Sequence, residues 1–102
     1  MKYERLFSPL KIKNLELKNR VIMSAMHHAY TPEGYVTERF KEYYYRRAEG
    51  GVGLVMIGGC RFEEHNAMVG MVSIQDDSYI PGLKEFAEGM HKRGAKVGIQ
   101  LF

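Results

Sequence analysis

The chain has 102 residues, enough for one small domain, and its 45% apolar and 26% charged residues exclude a disordered polar chain. Lys plus Arg number 15 against 12 Asp plus Glu, a balance of +3 with no basic run, which argues against a nucleic-acid partner. No apolar stretch approaches the ~20 residues of a membrane span, and the opening MKYERLFSPL lacks the apolar core of a secretory signal. A single cysteine excludes an internal disulfide framework and a cysteine-based zinc site, so a reducing, cytoplasmic setting is expected.

In chain order, Leu10–Lys13 and Leu15–Lys18 alternate apolar and polar around Asn14, which predicts a hairpin with one buried face. Val21-Ile22-Met23 is a continuous apolar run, the pattern of a strand buried on both sides in a parallel sheet. A loop spans Ser24 to Tyr35. A helix follows, with Thr37 as N-cap and Glu38 in the first turn. Its apolar stripe is Val36, Phe40, Tyr43, Tyr44 and Ala48, Glu42 and Arg46 can pair at i,i+4, and Gly50-Gly51 stops it. Val52–Ile57 is the second strand, ending at Gly58-Gly59-Cys60, and a long loop runs to Asp77. The second helix starts at Ser78 with Pro81 in its first turn and an apolar face of Ile80, Leu83, Phe86, Ala87 and Met90. It stops at Gly94, and Lys96–Leu101 is the third strand.

The order hairpin, β, α, β, α, β defines an α/β architecture with a parallel sheet. Val52-Gly53 and Val97-Gly98 open successive strands after basic, Gly-terminated helices, a weak internal repeat of one βα module. Three strands and two helices bury little, while ordering about 100 residues costs of order 100–200 kcal/mol. The expectation is therefore a piece of a larger α/β unit, with residues 1–102 forming one part of a single domain. The third strand would also present an outer edge that nothing in this chain pairs.

Ligands in parallel α/β folds sit beyond the carboxyl ends of the strands. That gathers Ser24 to His28, Gly58 to Arg61, and Gln100. An amide inside an apolar strand either satisfies the core or reads the polar edge of a heterocycle. Gly58-Gly59 lets a flat ligand approach the backbone, or simply makes a turn. Met26 can floor a site or fill a core. His27 stands where a strand delivers residues to the active face and can donate a hydrogen bond. His27 and His28, being adjacent, point apart, and with His65 and His91 they show no ligand spacing for a metal. Cys60 reads as a buried small hydrophobe. Gly51-Val52-Gly53 precedes its strand, so a dinucleotide-binding fingerprint fails, and no phosphate loop is visible, which disfavours a small flavodoxin-like domain.

The stretches LFSPLKIKNLELKNRVIMSAM, EGYVTERFKEYYYRRAEGGVGLVMIGG and IQDDSYIPGLKEFAEGMHKRGAKVGIQLF resemble the N-terminal part of the old yellow enzyme family, the NADH:flavin oxidoreductases. The Met-Ser-Ala-Met-His segment looks most like the 2,4-dienoyl-CoA reductase branch. The resemblance implies a TIM (β/α)8 barrel, with the hairpin as its floor and this chain supplying the first three strands. It implies FMN as cofactor, NADH or NADPH as reductant, an activated alkene as small-molecule substrate, and an oligomer as an option. By position, the backbone of Ser24, Ala25 and Met26 would lie along the flavin, Gly59 would pass near its reactive edge, and Gln100 would bond its pyrimidine part. His27 stands where relatives carry Thr or Cys, and Ala25 replaces a frequent proline. The family's substrate-anchoring His pair and proton-donating Tyr fall after the third strand, so no catalytic residue is assigned here and the chain alone is expected to be inactive. The alternative is a non-catalytic α/β module that pairs through its open strand edge with a partner.

Overall fold

The structure is a computed structural model and describes residues 2–63, 68 and 70–102. His65 lies outside the described residues. Three parallel strands carry the chain: β3 (Ile22–Met23), β4 (Leu54–Cys60) and β5 (Lys96–Leu101), in the order β3-β4-β5. Their register sets Ile22 beside Leu54 and Leu54 beside Lys96. A separate antiparallel hairpin, β1 (Leu10–Ile12) and β2 (Leu15–Leu17), pairs Leu10 with Leu17 and Ile12 with Leu15. Lys13, at φ +52, takes the left-handed position of its bend, beside Asn14. The alternation is as the sequence requires, but only one end of the apolar face is closed. Leu17 is fully buried, whereas Ile12 and Leu15 are 45% and 39% exposed.

Helix α1 (Glu38–Glu49) begins where Thr37, in extended conformation, accepts a hydrogen bond from the Phe40 amide at 3.2 Å. The same hydroxyl donates to the Tyr30 carbonyl at 2.7 Å, so the cap also ties the preceding loop to the helix. Thr37→Ala removes both bonds and is expected to cost about 1–2 kcal/mol, read as a lower urea midpoint. Glu42 and Arg46 do pair, at 2.8 Å, and remain largely solvated, so the pair adds little. Lys41 is the unexpected member of the buried face. Its ammonium bridges Glu38 at 2.6 Å and Glu85 of the second helix at 3.1 Å. Those two carboxylates hold its pKa above the ordinary lysine value.

Helix α2 (Ile80–Lys92) starts two residues later than the sequence predicts. One 3-10 turn, Asp77–Tyr79, precedes it, because the Asp76 carboxylate takes the Ser78 amide at 2.8 Å and tightens the entry. Hydrogen bonds from Ser78 hold the Asp76 pKa below its usual value. Phe86 and Met90 are buried as expected, but Ile80 is 54% exposed. Gly94, at φ +83, ends this helix as predicted. Within α2, a methyl group on Gly82 would meet only Val36, at ordinary distances of 3.6 Å to Cβ and 3.9 Å to N. Gly82→Ala is expected to raise stability by about 0.5–1 kcal/mol, seen as a higher Tm.

Both helices pack on one face of the sheet. The core joins Phe40, Tyr44 and Ala48 of α1, Phe86 and Met90 of α2, and Val55, Ile57 and Cys60 of β4. Leu54, Met56 and Gly58 alternate onto the opposite face and are only half-buried. The radius of gyration is 14.3 Å, with extents of 47 × 25 × 20 Å, whereas a compact domain of this length has about 13 Å. The molecule is a slab with one closed face and one open one. Asn19 locks the base of the slab. Its side chain donates to the Gly51 carbonyl at 2.6 Å and accepts from the Val21 amide at 3.1 Å. Among the described residues, no helix is long and apolar enough to cross a membrane.

Candidate functional site at the strand tips

Because β3, β4 and β5 run parallel, their carboxyl ends lie together. The second strand differs from its predicted bounds at both ends. It begins at Leu54 rather than Val52 and continues through Gly58, Gly59 and Cys60, which the sequence places after the strand. The reason is pairing with β5. Cys60 stands beside Leu101, and the Phe102 amide donates to the Cys60 carbonyl at 3.1 Å. A register shift between Ile57 and Cys60 accommodates the glycines.

Gly58 is the contact point of the three tips. A Cβ built there would meet Gln100 Cβ at 2.8 Å, Gln100 Oε1 at 3.2 Å and Ala25 Cβ at 3.3 Å. Glycine therefore allows Ala25 and Gln100 to close over the end of β4. At Gly59 a Cβ would meet Phe102 Cβ at 2.6 Å and Met71 Cε at 3.0 Å. Met26 and His27 share the wall of a small hollow with Gly58, Gly59 and Met71. The hollow has a volume of about 10 Å³, room for one water and no more. A planar ligand would lie against the tips, not inside this hollow.

The predicted site residues fall into two groups. Ala25 and Gln100 meet at Gly58, and Met26, His27 and Gly59 border the hollow. Ser24 is exposed just past β3. Gln100 is exposed as well. Met26 is 50% exposed and His27 is exposed. Sequence reasoning did not single out Met71 or Phe102, because both arrive through long-range packing. Cys60 is fully buried, and burial pushes its thiol up to about 11, so it is a core group and not a nucleophile. Among the described residues, no group of three His, Cys, Asp or Glu side chains could hold a metal ion.

The residues present suit the edge of a flat polar heterocycle. An exposed amide supplies one donor and one acceptor, an exposed imidazole stands nearby, and Met26 offers an apolar contact. Small residues between them, Ala25 and Gly58, keep the surface low.

A parallel sheet in sequential strand order with helices on one face and polar groups at its strand tips has the arrangement of the opening units of an α/β barrel. Residues 5–102 match the NADH:flavin oxidoreductase / NADH oxidase family, and the chain belongs to that family. It is 45% identical over 97 residues to a metal reductase of Desulforamulus reducens, covering 95% of this chain and 14% of that protein. It is 38% identical over 104 residues to an NADPH dehydrogenase of Listeria welshimeri, covering 95% of this chain and 30% of that one. A solved 2-naphthoyl-CoA reductase in complex with 2-naphthoyl-CoA superposes with a TM-score of 0.90 at 33% identity, over 97% of this chain and 16% of that chain. The hairpin, three strands and two helices thus correspond to the start of the family's barrels. The chain spans between 14% and 30% of the length of these curated relatives.

Proposed function

We propose that this chain is the N-terminal segment of an FMN-dependent NAD(P)H oxidoreductase of ene-reductase type, acting on a small activated alkene. The observation that carries the reading is the meeting of Ala25, Gly58 and Gln100 at the tips of parallel strands. FMN, when bound, supplies two-electron transfer between a nicotinamide and the small molecule. The chain's own residues orient it. Gln100 has an exposed amide to bond the pyrimidine edge, and the backbone from Ser24 to Met26 would run beside the ring. Gly59 keeps the β4 backbone low near the ring's reactive edge, and His27 offers a donor at the same rim. Similarity of the Met23-Ser24-Ala25-Met26-His27 segment supports placement near the dienoyl-CoA reductase branch.

None of these residues moves a proton or anchors substrate, so the isolated chain is expected to show no turnover. Titration of the chain with FMN, followed at the yellow absorbance band, checks this. Weak or no binding is expected, and tight stoichiometric binding contradicts it. In a protein that carries this segment within a loaded barrel, Gln100→Leu is expected to weaken FMN binding about tenfold, the value of a hydrogen bond or two near 1.4 kcal/mol in all. An unchanged Kd would remove Gln100 from the site.

A second reading rests on the outer edge of β5. Among the described residues no strand pairs with it, and Ile99 and Leu101 on it are 41% and 59% exposed. Beside it lies an apolar groove of about 350 Å³ walled by Ile57, Leu83, Phe86 and Val97. This favours a non-catalytic module that pairs through its edge. Light scattering separates the two: a discrete stable dimer or hetero-complex lacking flavin supports the module.

A further inference from the structure

Besides the Thr37–Tyr30 hydrogen bond, the loop between β3 and α1 meets the helix through the His28 ring. His28 lies 4.1 Å from Tyr43 and 5.6 Å from Tyr44 of the helix, and 5.3 Å from Tyr30, on which it stacks at 19°. Two of these three tyrosines already carry a guanidinium, Arg39 over Tyr30 at 4.1 Å and Arg47 over Tyr43 at 3.7 Å. His28 Nε2 is buried and has no hydrogen-bond partner among the described residues. Protonation would turn that atom into a charged donor with nothing to receive it. The next residue, Ala29, is held at φ +57, the left-handed region that L-residues avoid, with the Gly70 backbone packed against its Cα. The two residues before His28 are Met26 and His27, at the rim of the proposed flavin site.

We propose that His28 is a positioning residue whose neutral ring pins the loop bearing Met26 and His27 to α1, and whose protonation releases the pin. The relevance of that loop to FMN rests on the proposed function; the pin itself does not. The groups facing His28 are His27 and Tyr30 from its own loop, Tyr43, Tyr44 and Arg47 from α1, and Arg39 by way of Tyr30. The segments that share its hollow contribute Gly58, Gly59, Gly70, Met71 and Val72, none of which titrates. Burial chiefly, then the positive charge of Arg47 and of His27, holds the His28 pKa below the ordinary 6.5. The folded value lies below the unfolded one, so the pin is fully present above the unfolded pKa of 6.5 and is lost as pH falls through the lowered value.

The test is NMR on the full chain: the His28 ring titration, together with hydrogen-exchange protection of the Ala25–Ala29 amides at about pH 7.5 and about pH 5.5, corrected for intrinsic exchange. His28 is expected to titrate below 6.5, and loop protection to fall by up to about tenfold per pH unit between 6.5 and that lowered value and to level off beneath it, while α1 amides hold. His28→Phe keeps the ring contacts and cannot titrate, so its loop is expected to stay protected at both pH values. A purely structural role would leave wild-type protection the same at both. Titration at or above 6.5, pH-independent protection in the wild type, the same loss in His28→Phe, or unfolded-like His28 shifts at about pH 7.5 would each overturn the proposal. The readout contains no flavin, so its failure is distinct from a failure of the FMN reading.

Discussion

Phe86→Ala is expected to abolish the cooperative unfolding transition of this chain. Phe86 is 1% exposed and sits where both helices meet the sheet. Its ring lies 5.1 Å from Phe40, 5.7 Å from Tyr44 and 6.0 Å from Tyr45, so one side chain joins the aromatic residues of α1 to α2. Truncating a buried phenylalanine costs about 3–5 kcal/mol in lost transfer energy and cavity. Whole domains are stable by only about 5–15 kcal/mol, and small ones fall at the low end. The loss therefore approaches the total. Circular dichroism through a urea titration checks it: the wild type is expected to give a sigmoid and the variant a shallow, sloping loss of signal. A variant with an unchanged midpoint would mean that the helices do not pack through Phe86.

Gly58→Val is expected to damage both fold and site. The atom it meets first is Gln100 Cβ at 2.8 Å, and Ala25 Cβ follows at 3.3 Å beyond the movable Gln100 Oε1; each Cβ is fixed directly to its own backbone, so neither can swing aside as a side-chain end would. Overpacking of this kind costs about 1–3 kcal/mol. The backbone of β5 must shift to relieve it, and Gln100 shifts with it. In a flavin-loaded protein that carries this segment, the variant should lose at least as much FMN affinity as Gln100→Leu and should also lower the Tm. Gly82→Ala provides the contrast, since its methyl group meets nothing closer than 3.6 Å. Equal Tm values for Gly58→Val and the wild type would mean that the three tips are not in contact.

Much of this arrangement is legible in the residues because local chemistry agrees with the fold. The apolar run Val21–Met23 and the apolar-rich stretch Lys96–Leu101 read as parallel strands, and the structure makes both, trimming Val21 from the first and leaving Ile22 47% exposed where the run predicts burial on both sides. Thr37 and Gly94 mark helix ends by capping and by positive φ, which need no distant partner. Long-range pairing decides what the sequence misses. Gly58-Gly59-Cys60 carries the local chemistry of a turn, yet pairing of Cys60 with Leu101 keeps it in the strand. Asp76 overrides Ser78 at the start of α2 because its carboxylate reaches the Ser78 amide. Ile80 has helical spacing for the core and lines the same groove as Leu83, Phe86 and Val97 of β5, but at the open end of α2 it stays 54% exposed. The site is legible only as a set of strand ends. His27 and His28 are adjacent in sequence, and both border the hollow at the strand tips. Which of them packs depends on Tyr30 and on Tyr43 of α1, and no local pattern announces that contact.

The central claim is that β3, β4 and β5 end in one flavin edge of a parallel barrel. It is tested most directly by a chimera in which residues 5–102 replace the matching segment of the Listeria welshimeri NADPH dehydrogenase. The measurement is the flavin absorbance of the purified protein against its protein concentration. A yellow chimera with stoichiometric FMN, weakened by Gly58→Val or Gln100→Leu in the same background, is the predicted result. A chimera that folds cooperatively and stays colourless in excess FMN would contradict it.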